Sequence, residues 1–569
     1  MTALFVVILW LCFRDPRALW VPLLAVLLAT LYTAGLLGLV GEPINIINNV
    51  LPVLIFVIAM SDAIHVIARY RRELAAGRPQ REALWTTLRH LAVACLLTSL
   101  TTAVGFASLA TADIGILRRF GLTAAAGVGL AYVVTIAFVP LAFSVLSPRL
   151  GQEPQRVDAL FDRLSLRLGR WVLRRRGRVL AGALLCTAIA IALGARVRID
   201  NNVYEAFDPD DPFALANARL ERDFGGIVSL SLVVAWEADA SGPLTPEALA
   251  YLSELEDFLR ARGVLPLSVA DLVAEGNAAL RRGDPAARRV PETPEACRAA
   301  FLAVSAALET TGRGEALRRL WSSPRRWTRI VGQVGDLGST RLNGIFAAIE
   351  ERLARDRARH TELGLRCFLS GDGPVASRGV DRLIGDLFVS LLTAFAFIVP
   401  VLCLLFRSLR AGLVSTIPNL LPLIATLGFL GATGRELRVT SVIVFSISLG
   451  LAVDDTIHFM VRFGEEWRRA GVGRTAYARA LLRTYRGAGS AIILTTLLLT
   501  AGFSALLLSD FPISRSFALC MEVTIVAALL GDLLVLPAVL AVFRPFGAAP
   551  EVPADFDPAA PGAEGAEQS

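Results

Sequence analysis

Three side chains that can carry a proton stand close together within an apolar stretch of the sequence. Asp454, Asp455 and His458 lie in the run 448–461, SLGLAVDDTIHFMV. The surrounding apolar segment has roughly 20 residues, enough to cross a bilayer as a helix. Residues three and four apart share a helix face, so both carboxylates can approach the one imidazole. Charged groups at membrane depth are costly and usually functional. The spacing predicts a proton-handling site; the alternative is that one aspartate only caps or pairs with a neighbouring helix.

A second apolar segment repeats this pattern. Residues 56–66 read FVIAMSDAIHV, in which Asp62 and His65 take the positions of Asp455 and His458, and Ser61 stands where the other aspartate would be. The match continues at further positions along the chain, among them Gly35 with Gly428, Gly105 with Gly502, and Pro140 with Pro537. Residues 1–147 and about 386–546 are therefore predicted to be internal repeats. Duplicated halves with polar groups near the midplane are typical of membrane transporters.

The composition also points to a membrane protein. Of the 569 residues, 54% are hydrophobic, and the mean hydropathy is +0.58. The net charge of +7 is carried by arginine without any lysine, which favours a GC-rich bacterial source. This basic excess lies in loops beside the apolar segments, so it does not call for a nucleic-acid partner. The seven cysteines have no metal-binding spacing, and no metal or other cofactor is predicted.

The apolar segments and the polar stretches between them divide the chain into six parts. Spans are predicted at 18–40, 46–68, 91–112, 120–146, 178–195, 385–406, 411–433, 439–461, 489–509 and 515–543, and residues 1–13 form a shorter apolar segment that resembles a cut first span. The parts are a first membrane repeat of five spans (1–147), an amphipathic connector (148–177), a single span (178–196), a soluble domain (197–381), a second membrane repeat of five spans (382–546) and a disordered tail (547–569).

Arginine counts in the loops predict the orientation of the chain. The segments 69–90, 148–178 and 462–486 are rich in arginine, and the positive-inside rule places them and the C-terminus in the cytoplasm. Residues 197–381 are then extracytoplasmic. Strand patterns at 227–236, 327–334 and 363–370 alternate with helical patterns at 246–262 and 340–357, which predicts α/β layers. The fold class is a polytopic α-helical membrane protein with an internal repeat and one extracytoplasmic α/β domain.

Other polar residues in the spans are candidates for supporting roles. Thr98, Thr495 and Thr496 follow the charged spans and can donate to the aspartates; bonding to their own helix backbone is the alternative. Glu522 and Asp532 in the last span are either a second proton or cation site or helix-pairing groups. His90 and His360 stand in polar contexts and are expected to be solvated. A disulfide between Cys297 and Cys367 is left open, because spacing cannot establish it.

The sequence resembles the resistance–nodulation–division (RND) superfamily, most of all its MMPL-type and Patched-like exporters, relatives of the sterol-sensing-domain proteins. The resemblance is carried by GLAVDDTIH at 450–458, SDAIH at 61–65, FRSLRAG at 406–412, and the pairs Thr495-Thr496 and Gly502-Phe503. It implies twelve spans, two extracytoplasmic porter domains, and export driven by proton uptake at Asp62, His65, Asp454, Asp455 and His458. The chain departs from this pattern in lacking the first span and the first porter domain.

The expected function follows from the resemblance and the charged spans. We expect an exporter of hydrophobic or lipid-like molecules in the bacterial inner membrane, driven by the proton-motive force, and not an enzyme. Its expected partners are membrane lipids, the hydrophobic substrate, and a second copy or a partner chain that supplies the missing porter domain. Two alternatives stay open: a lipid- or sterol-sensing accessory protein that does not pump, and a proton-driven partner in protein secretion.

Overall fold

The first membrane repeat is a series of long helices. The computed structural model describes residues 2–45, 47–146, 156–198, 210–237, 242–322, 327–469 and 476–546. The helices up to residue 198 are α1 Thr2–Phe13, α2 Pro16–Val40, α3 Leu51–Ala75, α4 Gln80–Ala107, α5 Gly115–Val145, α6 Arg156–Arg174 and α7 Arg176–Gly194. Local signals set their ends: Asp15 accepts a hydrogen bond from the Arg17 amide at the start of α2, and Gly41, with φ of +70°, ends it.

The soluble unit, Ile199–Arg382, combines helices with one antiparallel sheet. Its elements are α8 Pro212–Phe224, β1 Val228–Trp236, α9 Pro246–Arg260, β2 Leu265–Leu267, α10 Val269–Leu280, α11 Pro294–Thr310, α12 Gly314–Leu320, β3 Trp321–Ser322, β4 Trp327–Val334, α13 Ser339–Arg355, α14 Arg357–Glu362 and β5 Leu365–Ser370. The strand order is β2-β4-β1-β5, with β3 paired to β4. Buried residues alternate along β1 and β4, because one sheet face covers an apolar core formed with the helices.

The described residues after the sheet are again helical. They comprise α15 Asp372–Leu405, α16 Leu409–Thr433, α17 Val439–Arg469, α18 Ala476–Thr484, α19 Ser490–Ser504, α20 Pro512–Leu530 and α21 Leu536–Phe543. Two π-helical turns, Tyr485–Gly489 and Gly531–Val535, join α18 to α19 and α20 to α21. These wider turns keep each span continuous while shifting the side chains that follow, a feature that often marks functional helices.

The fold class predicted from the sequence is confirmed. Among the described residues, 10 helices are long and apolar enough to cross a membrane, one for each predicted full-length span. The Met1–Arg198 and Leu383–Ser569 segments form one compact unit, and the soluble unit is the other. The predicted tail at 547–569 and the start of the connector at 148–155 lie outside the described residues.

Some details of the soluble unit differ from the expectations. The short strand β2 has only three residues, one of them Pro266, too few to show an alternating pattern. His360 is not solvated: it is only 8% exposed, and its Nε2 lies 2.6 Å from the Tyr251 hydroxyl, which donates to Asp356 at 3.1 Å. Cys297 and Cys367 are both free thiols, so they do not form a disulfide with each other.

A buried carboxyl group makes the soluble unit sensitive to pH. Glu256 on α9 is only 2% exposed, and burial together with its hydrogen bond to Asp271 raises its pKa to about 8. Arg260, 3.5 Å away and largely solvated, opposes this shift only in part. Because the folded state holds this proton more tightly than the unfolded chain, the stabilisation is complete below about pH 4.5, the ordinary glutamate value, and is lost as the pH rises through about 8.

We therefore expect α9 and α10 to open more readily at pH 9 than at pH 6, and Glu256→Gln to remove most of this difference, because a neutral amide replaces the protonated acid. Hydrogen exchange of the two helices in the full-length chain, corrected for intrinsic exchange rates, measures the effect. Glu295→Gln, at the start of α11, is the control that keeps the wild-type pH dependence. An unchanged pH dependence in Glu256→Gln contradicts the assignment.

Candidate functional site

The charged spans α3 and α17 meet through polar side chains in the interior of the membrane unit. Ser61 Oγ donates to Asp454 Oδ2 at 3.4 Å, joining the two repeats at equivalent positions. The rings of His65 and His458 stack with centroids 4.1 Å apart and an interplanar angle of 16°. Asp62, 3% exposed, lies beside Ser61 in the same cluster. We call Ser61, Asp62, His65, Asp454 and His458 the repeat-interface cluster.

The two adjacent aspartates of α17 face different neighbours. His458 Nε2 lies 3.5 Å from Asp454 Oδ1, four residues earlier on the helix. Asp455 instead accepts a 3.5 Å hydrogen bond from Thr495 of α19. The expectation that both carboxylates approach His458 is therefore wrong for Asp455. Helix spacing allows either aspartate to approach the imidazole, and the side-chain conformation of Asp455, which is directed to Thr495, leaves Asp454 as the neighbour of His458.

Asp62 accepts a hydrogen bond from a neighbouring span. Ser99 of α4 donates to Asp62 Oδ2 at 3.3 Å. Asp62 and Asp454 also interact electrostatically, so two ionised carboxylates in this cluster would repel each other in a buried setting. Two buried carboxyl groups with hydroxyl and imidazole neighbours form an arrangement that can take up and release protons.

A close contact of backbones positions the cluster. A Cβ placed on Gly450 would lie 3.0 Å from Thr102 Cγ2 and 3.1 Å from Thr102 Cα, so α17 touches α4 there. Thr102 Oγ1 donates to the Gly450 carbonyl at 3.1 Å. Gly105, one turn further along α4, faces Gly450 as well. The two glycines allow α4 and α17 to approach closely. This packing positions Asp454, which lies one turn beyond Gly450 on α17 and contacts Ser61 of α3.

The threonines have mixed roles. Thr98 donates to the Cys95 carbonyl of its own helix at 3.0 Å, and its hydroxyl also interacts with Asp454. Thr495 donates to both Asp455 and the Ile492 carbonyl. Thr496 is buried beside it on α19. Sequence reasoning missed Ser99, although its equivalent in the second repeat is Thr496, which had been singled out.

The two acidic residues of the last span, Glu522 and Asp532, form hydrogen bonds with different helices. Glu522 accepts a 2.7 Å hydrogen bond from Ser504 and so pairs α20 with α19. Asp532, in the π-helical turn Gly531–Val535, is hydrogen-bonded to the Thr456 hydroxyl of α17 and is 1% exposed. Thr456 Oγ1 also lies 2.9 Å from Asn419 Oδ1 on α16. Asn419 was missed, although a polar residue inside a predicted span is a visible signal.

A small cavity of about 50 Å³ adjoins the stacked histidines. We call it the basic vestibule; its polar lining consists of His65, Arg69, Arg72, His90, His458, Arg462 and Glu465. The Nε2 atoms of both stacked histidines and Arg462 Nε are buried without a hydrogen-bond partner among the described residues. The volume suffices for a few water molecules, and these polar atoms are the partners that such water requires.

Arginine side chains line the end of the vestibule opposite the histidines. Arg72 Nη1 donates to the Gly487 carbonyl at 2.7 Å, in the π-helical turn Tyr485–Gly489. Arg462 pairs with Glu466 at 2.6 Å and with Glu465 at 3.0 Å. His90, expected to be solvated, is half-buried in the lining, where its Nδ1 lies 2.7 Å from the Thr86 carbonyl. The vestibule thus connects the repeat-interface cluster to the arginine-rich ends of α3 and α17.

Comparison with known protein families decides the family. The sequence model of the MMPL family matches residues 1–181 and 207–555, which is most of the chain. The chain belongs to the MMPL family. The resemblance to MMPL-type members of the RND superfamily is thereby confirmed, and the chain is a multi-pass membrane protein of a transporter family rather than of an enzyme family.

Individual relatives of this MMPL protein match over shorter regions. A membrane protein of Methanocaldococcus jannaschii is 31% identical over 134 residues, 24% of this chain and 34% of the relative. A membrane protein of Streptomyces coelicolor is 28% identical over 214 residues, 35% of this chain and 29% of the relative. MmpL1 of Mycobacterium tuberculosis, whose name describes a transport protein, is 25% identical over 220 residues, 37% and 22% of the two chains. The matched regions span about a third or less of these relatives.

Solved structures of SecDF share the fold. A crystal structure of SecDF in a super-membrane-facing form matches 95% of this chain and 61% of that chain, with a TM-score of 0.56 and 17% identity. SecDF from Thermus thermophilus, described as a translocon-associated membrane protein, gives a TM-score of 0.57 at 16% identity, with the same coverage. At this identity the likeness establishes the RND fold alone.

Proposed function

We propose that this MMPL protein is a proton-driven exporter of hydrophobic or lipid-like molecules in the bacterial inner membrane. The observation that carries the proposal is the repeat-interface cluster, which brings together the carboxyl groups of Asp62 and Asp454 and two stacked imidazoles from equivalent positions of the two repeats. Such groups inside a membrane bundle mark proton relays. The soluble unit is then extracytoplasmic, and the arginine-rich end of the bundle and the C-terminus lie in the cytoplasm.

Proton exchange in this cluster changes the contact between the repeats. When Asp454 is ionised, it attracts a protonated His458 and accepts from Ser61 of the other repeat. When Asp454 is neutral, the attraction to the imidazole is lost, and the stacked histidines are free to separate. Because His65 and His458 belong to different repeats, a change of protonation alters the energy of the α3–α17 contact directly.

The basic vestibule supplies a route for the proton on the cytoplasmic side. Its histidine end touches the cluster, and its arginine end opens among Arg69, Arg72 and Arg462. The Nε2 atoms of His65 and His458, which have no hydrogen-bond partner in the described part of the chain, face this space, so water held there can accept a proton from an imidazole or return one to it. The proton-motive force drives protons inward, and inward flow along this route powers outward movement of substrate.

The substrate class is inferred from the surfaces that the spans offer. Exposed apolar residues cover the outer helices of the membrane unit, including Leu31 and Tyr32 on α2, Leu184 on α7, and Leu392 on α15. A hydrophobic substrate reaches such surfaces from the membrane without crossing water. The second candidate, a proton-driven partner in protein secretion, is favoured by the fold shared with SecDF. Both candidates use the same proton site and differ in what they move.

The test is movement of a fluorescent phospholipid analogue in liposomes that contain the full-length chain. We expect an imposed inward proton gradient to accelerate analogue movement, and Asp62→Asn to make the rate independent of the gradient, because asparagine cannot exchange a proton. Asp257→Asn, an exposed surface residue of the soluble unit, is the control that keeps the dependence. Gradient-driven movement that persists in Asp62→Asn contradicts the proton site. A wild-type proton flux without movement of the analogue contradicts the substrate class and favours the secretion role.

A further inference from the structure

A second apolar feature, separate from the proton site, lies on the outside of the membrane unit. Helices α7, α16 and α20 border a groove with a volume of about 370 Å³. Small side chains make the space: Gly182, Ala183 and Ala190 on α7, Ala425 on α16 and Ala527 on α20. The α7 residues recur every three to four positions, so one face of α7 lines the groove for more than two helical turns.

The groove lies beside a close contact between α7 and α16. A Cβ placed on Gly428 would lie 2.8 Å from Ala190 Cα, so the two backbones are in contact there. Gly431 meets the Leu193 carbonyl one turn further along. Ala527 and Leu530 of α20 also line the gap. In a span, such a gap opens to the hydrocarbon of the membrane rather than to water.

A smaller cavity of about 230 Å³ lies next to the groove. It is lined by Leu164 and Leu168 of the amphipathic helix α6 and by residues of α20 and the following π-helical turn. Leu530 and Leu534 line both spaces, and they are one turn apart on the same ridge. Two apolar spaces thus flank a single ridge, a shape that suits a molecule with two hydrocarbon chains.

The end of the groove next to α6 is basic and aromatic. Trp171 and Arg178 both line it there. Arg174, Arg175 and Arg176 are exposed in the adjoining segment, and none of the groove-lining residues is acidic. Tryptophan favours the interface between hydrocarbon and headgroups, and arginine binds phosphate with several donors. The charge at this end complements an anionic headgroup, and the apolar walls complement acyl chains.

We propose that this site binds a diacyl phospholipid with an anionic headgroup. One acyl chain lies in the groove and the other in the smaller cavity, on either side of Leu530 and Leu534. The phosphate lies at Trp171 and Arg178. The proposal concerns binding only; it is independent of proton-driven transport, because none of its residues belongs to the repeat-interface cluster. Basic pockets between spans on the arginine-rich side of a membrane are suited to such headgroups.

The headgroup is tested with the full-length chain in detergent, to which dioleoyl-phosphatidylglycerol or dioleoyl-phosphatidylcholine is added, and bound lipid is counted by native mass spectrometry. We expect the wild type to retain phosphatidylglycerol preferentially. Arg178→Ala should weaken its retention about fivefold, the contribution of one arginine near an anionic surface. Arg410→Ala, an exposed arginine at the start of α16 outside the groove, should leave retention unchanged. Equal retention of both lipids by the wild type overturns the anionic assignment and leaves only non-specific lipid contact.

The groove itself is tested by filling it. A Cβ on Gly182 meets open space, so Gly182→Leu fills the groove without disturbing the helix packing. We expect this variant to lose most of the retained phosphatidylglycerol. Gly177→Leu, at a glycine on the same helix with equally open surroundings, is the matched control and should bind as the wild type does. Unchanged binding in Gly182→Leu overturns the groove as the site. Equal retention of a single-chain lysophosphatidylglycerol overturns the use of both cavities.

Discussion

Proton flux through the reconstituted chain is expected to fall to the level of protein-free liposomes when Asp454 is replaced by asparagine. Asparagine keeps the shape of the side chain and can still accept from Ser61, whose oxygen lies 3.4 Å from Asp454 Oδ2. It cannot take up or release a proton, and it carries no charge for His458 to balance. Flux is measured with a pH-sensitive dye trapped in the liposomes under an imposed membrane potential.

Asp532→Asn provides a control at a second buried carboxyl group. The Thr456 hydroxyl has one hydrogen but lies within hydrogen-bond distance of both Asn419 Oδ1 and Asp532 Oδ1. The Asn419 amide nitrogen donates to the Ser415 carbonyl at 3.0 Å, so its oxygen faces Thr456 and must accept. Thr456 therefore donates to Asn419, and Asp532 supplies the hydrogen of its own bond to Thr456 as a protonated acid.

An asparagine at position 532 can donate to Thr456 through its amide nitrogen, as the protonated acid does. We therefore expect Asp532→Asn to keep most of the proton flux, in contrast to Asp454→Asn, although both carboxyl groups are buried. Loss of flux in both variants would mean that Asp532 also exchanges protons. Wild-type flux in Asp454→Asn would remove that residue from the proton path. Matching protein levels and melting temperatures of the two variants show that a difference in flux is not a difference in folding.

The sequence predicts those parts of the site that depend on spacing within one helix. The four-residue interval from Asp454 to His458 places these side chains on one face, and the repeat match identifies Asp62 and His65 as their counterparts. Ser61 was visible as the residue at the position of Asp454, and its contact with Asp454 follows from the symmetry of the repeats. Long apolar runs likewise locate each span, because hydrophobic length is a property of a continuous segment.

Contacts between helices were not predictable in the same way. Which of Asp454 and Asp455 faces His458 depends on side-chain rotamers, since all three residues lie on α17. Whether Ser99 or Thr98 reaches Asp62 depends on the rotation of α4 about its axis. That rotation is set by packing against neighbours, here by the contact of Gly450 with Thr102. The basic vestibule combines residues of α3, α4, α17 and a π-helical turn, and no single segment carries its pattern. The antiparallel order of the sheet in the soluble unit has the same origin, since pairing joins strands far apart in sequence.

Replacing Gly450 by valine is expected to disrupt both the packing of the membrane unit and the proton site. A Cβ at this position lies only 3.0–3.3 Å from three atoms of Thr102, including its Cα, so the larger valine side chain must push α17 away from α4. Overpacking of this kind typically costs about 1–3 kcal/mol. The displacement also separates Thr102 from the Gly450 carbonyl and moves Asp454, one turn along the same helix, away from Ser61.

Gly464→Val is the matched control, since Gly464 lies on the same helix and a Cβ there meets nothing within 4 Å. The same substitution thus changes helix propensity equally at both positions, and only Gly450 adds a collision. We expect Gly450→Val to lower the melting temperature of the detergent-solubilised chain and to abolish proton flux, while Gly464→Val keeps both near the wild-type values. If the two variants behave alike, the α4–α17 contact does not position the site. If Gly450→Val melts earlier but keeps its flux, the contact stabilises the bundle without setting the geometry of Asp454.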